Sequence, residues 1–154
     1  MTSPLRLCVR RTSASETREA ATLVTLRLPS DVGCIEEAVE LVTRHCLAGH
    51  HATPSTRFRL RVVLSEALTN AIIQGNREDH RKWVEVRAEL GPDAIRVWVT
   101  DEGAGFDPGA VPEPTGPEQL DAARGRGLYL IRKLVDAVQF NERGNSICMT
   151  LRRQ

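Results

Sequence analysis

The chain has 154 residues, 41% of them apolar and 27% charged, which is the composition of a soluble globular domain long enough to bury a real core. Lys and Arg total 21 against 20 Asp and Glu, a formal net charge of +1, so no basic surplus exists for bulk phosphate-backbone binding and direct nucleic-acid contact is not expected. No apolar run approaches the length of a membrane span, so no membrane association is expected either.

Residues 1–20 are polar and irregular after Leu7-Cys8-Val9, and read as a flexible tail or a short edge strand. Arg10-Arg11 is followed by polar residues rather than an apolar signal core, so a cytoplasmic location is expected. The alternation of Val24, Leu26 and Leu28 predicts a strand over 21–28. Pro29-Ser30-Asp31 ends it and supplies a cap for a helix to about Ala48, with Ile35, Ala38, Val39, Val42 and Cys46 on one side and Gly49 as the stop. Cys8, Cys34, Cys46 and Cys148 contain no CxxC and read as reduced thiols. The spacing of Cys34, His45 and Cys46 fits no common zinc pattern, so the two cysteines read as small core residues.

Thr53-Pro54-Ser55 opens a second helix that runs to about Gly75, with Arg57, Arg59 and Arg61 decorating its early turns. Leu60, Val63, Leu64, Ala67, Leu68, Ala71 and Ile72 form one continuous apolar stripe. A hairpin follows. Val84, Val86, Ala88 and Leu90 alternate on the first strand, Gly91-Pro92-Asp93 turns the chain, and Ile95, Val97 and Val99 alternate on the second. Residues 103–125 are rich in proline and glycine, too long for an ordinary connection. A helix from Gly127 and two closing strands, 137–141 and 146–152, complete the chain. This order predicts an α/β two-layer sandwich, with a mixed, mostly antiparallel sheet and all helices on one face.

Three stretches carry chemistry. In Ser65-Glu66-Ala67-Leu68-Thr69-Asn70-Ala71, Glu66 and Asn70 stack one helical turn apart beside the apolar stripe, where a pocket can begin. Alone, such a pair is more often a solvated flank. Asp101-Glu102-Gly103-Ala104-Gly105-Phe106 puts a carboxylate at a strand end among glycines, able to accept from an exocyclic amine or simply to sit in an exposed turn. Arg124-Gly125-Arg126-Gly127-Leu128 opens a helix, whose free N–H groups and positive end suit phosphate. It lacks the third glycine of a dinucleotide fingerprint and the Gly-Lys-Ser/Thr of a Walker loop.

Together and in this order, the three stretches resemble the N, G1 and G2 boxes of the GHKL (Bergerat-fold) ATPases. Ser65–Ala71 and Gly125-Arg126-Gly127-Leu128-Tyr129-Leu130-Ile131 are similar to the small anti-sigma-factor serine/threonine kinases of the RsbW/SpoIIAB type. The resemblance covers about residues 20–152, with 21–154 read as one ATP-binding domain. It implies Glu66 as general base, Asn70 as a Mg²⁺ ligand, and Asp101, Gly103 and Gly105 at the adenine. It also implies Arg124, Gly125, Arg126, Gly127 and Leu128 at the phosphates, and residues 107–124 as an ATP lid. Two positions depart from the family pattern. Asn145 follows Gly144 where a threonine is common, and Gln74 stands where a histidine is common.

The implied function is an ATP- and Mg²⁺-dependent kinase that phosphorylates a STAS-type anti-anti-sigma antagonist and sequesters a sigma factor. The alternatives are an ATP-binding module that acts by binding alone and a detached histidine-kinase-like catalytic domain. Trp98 lies on the strand face opposite Val97 and Val99, the open face through which the family dimerises, so a homodimer is expected.

Overall fold

The computed structural model describes residues 3–11, 22–47, 53–105 and 123–152, with side chains from residue 125 in the last segment. The elements in chain order are β1 (Arg6–Arg11), β2 (Thr22–Pro29), a 3-10 turn (Val32–Cys34), α1 (Ile35–Cys46) and α2 (Pro54–Thr69). A π-helical turn (Asn70–Gly75) extends α2, and β3 (Trp83–Leu90), β4 (Ala94–Thr100), α3 (Ala123–Leu134), β5 (Ala137–Phe140) and β6 (Ser146–Arg152) follow. The strands form one sheet in the order β1-β2-β3-β4-β6-β5, and all five pairings are antiparallel. Of the two expectations for residues 1–20, a flexible tail or an edge strand, Arg6–Arg11 forms the edge strand β1, paired to β2 from Arg6↔Arg27 to Arg11↔Thr22.

Strand alternation sorts the faces as the sequence predicts. Val24, Leu26 and Leu28 of β2, Val84, Val86 and Ala88 of β3, and Ile95, Val97 and Val99 of β4 are buried under the helices. Ile147, Met149 and Leu151 of β6 join the same core. On the opposite face Trp98 sits half-buried between its cross-strand partners Arg87 and Cys148, with the Arg87 guanidinium 5.2 Å from its ring centre. Burial pushes the Cys46 thiol up to about 12, so it packs as a small neutral core residue.

Helix α2 is the middle helix and packs against both α1 and α3. Thr53 caps it, its hydroxyl accepting from Thr56 N at 3.2 Å, and Pro54 fits the first turn, where no N–H is needed. Leu60, Leu64 and Leu68 are fully buried, each contributing about 2 kcal/mol from apolar area removed from water. Arg59, one of the three arginines in the early turns of α2, turns inward. It is buried, and its guanidinium donates to Leu134 O (3.2 Å) and Arg152 O (3.4 Å) and lies 3.5 Å from Asp136. The guanidinium thus binds a free carbonyl at the C-terminus of α3 and the end of β6, two places that sequence distance hides.

One other expectation changes. Helix α3 begins at Ala123, not at Gly127, so both glycines lie inside its opening turns. The helix tolerates them because α2 approaches closely there. Helix α1 is described to Cys46, while the expected end at Ala48, the Gly49 stop and the expected lid residues 107–122 lie outside the described residues. Among the described residues, no helix is long and apolar enough to cross a membrane.

Candidate functional site

The end of α2 meets the end of β4. The π turn comes from an Asn76 N–H that reaches Ala71 O at 2.8 Å, five residues back. It delivers Gly75 onto the Asp101 carboxylate, so closely that a Cβ at Gly75 would lie 2.4 Å from Asp101 Cγ. Asp101 is also fixed through its own backbone. Its N–H donates to Asn145 O (2.9 Å), its carbonyl accepts from Asn145 Nδ2 (2.9 Å), and its Oδ1 accepts from Gly103 N (2.8 Å). Gly105 has φ +85 and passes directly against the Arg143 carbonyl, a conformation and a clearance that only glycine meets comfortably. The three expected adenine residues are thus adjacent, braced by the β5–β6 hairpin.

Asn145, a departure from the family pattern, holds that hairpin. Its Oδ1 accepts from Asn141 Nδ2 (2.6 Å) while Asn141 Oδ1 accepts from the Asn145 and Ser146 amides (3.0 and 3.2 Å). Ser146 and Thr100 share a hydroxyl–hydroxyl hydrogen bond of 2.7 Å across β4 and β6. An asparagine at position 145 therefore takes a structural duty at the Asp101 backbone.

The other end of the site lies between α2 and α3. A Cβ at Gly127 would lie 2.9 Å from Glu66 Oε2 and 3.2 Å from Asn70 Nδ2, so the bare backbone of α3 faces this acid–amide pair. Among the described residues, neither the Glu66 nor the Asn70 side chain makes a hydrogen bond to protein, and both are half-buried. Gly125 is buried and Arg126 points to solvent in the same opening turns, while the Arg124 side chain lies outside the described residues. Leu128, expected at the phosphates, is buried in the core and lines the cleft wall.

One cleft joins the two ends. Asn70, Gly75, Asp101, Gly105, Leu128 and Asn145 are among the walls of this open cleft. Ala67, Ala71, Val99, Phe140 and Ile147 give it an apolar lining suited to a flat ring, beside the polar Asn70, Asp101, Asn145 and Ser146. The cleft therefore resembles a nucleotide site in layout, and comparison with known proteins agrees. The profile of the histidine kinase-like ATPase domain matches residues 28–151.

The chain belongs to that family.

Among curated relatives, the serine-protein kinase RsbW of Bacillus subtilis is 35% identical over 99 residues, covering 59% of this chain and 61% of the relative. The anti-sigma F factor of Oceanobacillus iheyensis is 35% identical over 98 residues, covering 59% and 66%. RsbW of Staphylococcus aureus is 33% identical over 98 residues, covering 58% and 62%. The chain thus spans about three fifths of the length of the curated relatives it matches. The resemblance to the GHKL anti-sigma kinases stands, and so does the α/β ATPase fold expected of them.

Sequence reasoning missed Asn76. It is 1% exposed, its Nδ2 donates to Ser30 Oγ (2.8 Å) and Trp83 O (3.1 Å), and its Oδ1 accepts from Glu102 N (2.8 Å). Only its place directly after Gly75 hinted at a role.

Proposed function

We propose that the chain is an ATP-dependent serine/threonine protein kinase of the anti-sigma type. The adenine lies in the apolar part of the cleft, with its amino group donating to Asp101. The phosphates extend toward the opening turns of α3, where Gly125 and Gly127 leave backbone within reach of phosphate oxygens. The donor set at that end, an amide oxygen on Asn70 beside the Glu66 carboxylate, suits a hard oxygen-seeking cation, and Asn70 would hold Mg²⁺ that neutralises phosphate charge. Arg124 and Arg126 would add positive charge at the γ-phosphate.

Glu66 takes the proton from a serine or threonine hydroxyl of the substrate protein. The hydroxyl oxygen bonds to the γ-phosphorus, the bridging P–O bond to the β-phosphate breaks, and ADP leaves. The substrate is a STAS-type anti-anti-sigma protein, and the unphosphorylated balance of partners lets the kinase sequester a sigma factor. A homodimer through the open sheet face around Trp98 completes the reading, and light scattering that finds a monomer at micromolar concentration would remove that part.

One observation carries the proposal: Glu66 and Asn70 face the bare Gly127 backbone at one end of a cleft whose other end is Asp101. The test is transfer of labelled γ-phosphate to the candidate antagonist by wild type and by Glu66→Gln. Transfer that vanishes in the variant while nucleotide binding persists supports the kinase. Equal labelling by both proteins would take the general-base role from Glu66, and no labelling from either with nucleotide bound leaves a module that acts by binding alone.

A further inference from the structure

Asn76 is a buried polar side chain that the proposed chemistry does not use. Its amide orientation is dictated by its partners, since Glu102 N can only donate and Trp83 O can only accept. It therefore ties four separate segments at one point. They are the π turn, the end of β2 through Ser30, the start of β3 through Trp83, and the loop after β4 through Glu102. Ser30 is itself fully buried and anchored, its hydroxyl donating to Lys82 O at 2.8 Å. The Glu102 carboxylate answers from the other side by accepting from Trp83 N.

The position of this knot matters. Asn76 follows Gly75, whose Cα rests on the Asp101 carboxylate, and Glu102 follows Asp101. Gly103 closes the stack, with so little room that a Cβ there would overlap the Gly75 carbonyl. The hydrogen bond from Glu102 N to Asn76 Oδ1 holds the two sandwiched segments in register. We propose that Asn76 is a positioning residue: it fixes the Asp101 carboxylate where it accepts from an exocyclic amine, and so sets the preference for adenine over guanine. This rests on the reading of Asp101 as the base-recognition residue. Guanine offers a carbonyl where adenine offers the amine, so a well-held carboxylate repels it, whereas a loosened one can swing aside or admit water.

Three variants of the full chain decide the matter: Asn76→Ala, Asn76→Ser and Ser30→Ala. The first removes the knot. Asn76→Ser is too short to reach Glu102 N but leaves a polar group near Ser30, and it serves if the alanine variant does not fold. Ser30→Ala breaks only the arm that points away from Asp101. Calorimetric affinities for Mg·ATP and Mg·GTP, with melting temperatures, are measured on each. The expected result is an ATP:GTP affinity ratio that falls about tenfold in both Asn76 variants and stays at the wild-type value in Ser30→Ala, although all three melt lower. A wild-type ratio retained in either folded Asn76 variant, or an equal fall in Ser30→Ala, overturns the positioning role. A wild type that shows no preference for ATP overturns the base-recognition reading and this proposal with it, so the two failures are distinct.

Discussion

The two ends of the cleft are built on opposite plans. At the Asp101 end nearly every polar group already has a protein partner: Asn145 holds the backbone of Asp101, Gly103 holds its carboxylate, and Asn76 holds the next residue. At the Glu66 end, two half-buried polar side chains and the bare glycine backbone of a helix meet with no hydrogen bond between them among the described residues. A rigid end selects, because a group already in place loses little entropy on binding and penalises a mismatched ligand. An unsaturated end reacts, because its donors and acceptors stay available for charge that arrives with the ligand. On the proposed reading, recognition and chemistry would be separated along one helical segment, in which Glu66 lies in the last turn of α2 and Asn70 opens the π turn that ends on Asp101.

The comparison can be broken at each end separately. Glu66→Gln should cut phosphoryl transfer by about 10²- to 10⁴-fold, read as labelled antagonist, while ATP affinity moves by no more than about threefold. An equal loss in affinity would mean that Glu66 holds the nucleotide rather than the proton. Asp101→Asn should raise the ATP dissociation constant by about 100-fold in calorimetry, because the new amide presents a donor to the adenine amine. Binding unchanged by that substitution would place the base elsewhere and collapse the distinction between the ends.

Gly127→Ala sharpens the contrast further. The new methyl meets only the flexible tips of Glu66 and Asn70, and alanine favours a helix over glycine by about 1 kcal/mol, so the melting temperature should hold or rise. ATP affinity should nonetheless fall by about tenfold, since the methyl occupies the space where phosphate approaches the backbone. Destabilisation with intact binding would show the close approach to be packing alone.

The smallest effect concerns the exposed loop behind the rigid end. The hydrogen-bonding Arg81 side chain lowers the Asp79 carboxyl to about 2 from its ordinary 3.8. Because the folded value is depressed, its contribution to stability is present above about pH 4 and lost as the pH falls through 2. Asp79→Asn should therefore shift the urea midpoint slightly at pH 6 and not at all near pH 2, with nucleotide affinity untouched at neutral pH.

Periodicity made the scaffold legible. The α2 stripe from Leu60 to Ile72 and the alternating strands need only local spacing, and the structure buries them as that spacing demands. Glu66, Asn70, Asp101 and Gly127 were legible as a set because their order along the chain resembles a known arrangement. Arg59 was not, since its partners at Leu134 and Arg152 lie 75 and 93 residues away. Asn76 was hidden for the same reason, with Ser30 lying 46 residues from it and Glu102 lying 26. The start of α3 was misplaced because glycine argues against helix locally, whereas here the gain is close approach between helices. Asn145 read as a missing threonine, when its amide is a clasp whose partners only the fold brings together.

The outermost strand bears on how copies of the chain can meet. Among the described residues β1 is exposed along its whole length and pairs only with β2, which gives a row of amides and carbonyls of the kind that recruits a neighbouring strand. Its sequence, Arg-Leu-Cys-Val-Arg-Arg, opposes that recruitment. Two such strands in centred antiparallel register would set Arg6 against Arg11 at both ends of the ladder, like charge facing like. Such an edge disfavours edge-to-edge strand pairing between copies of the chain.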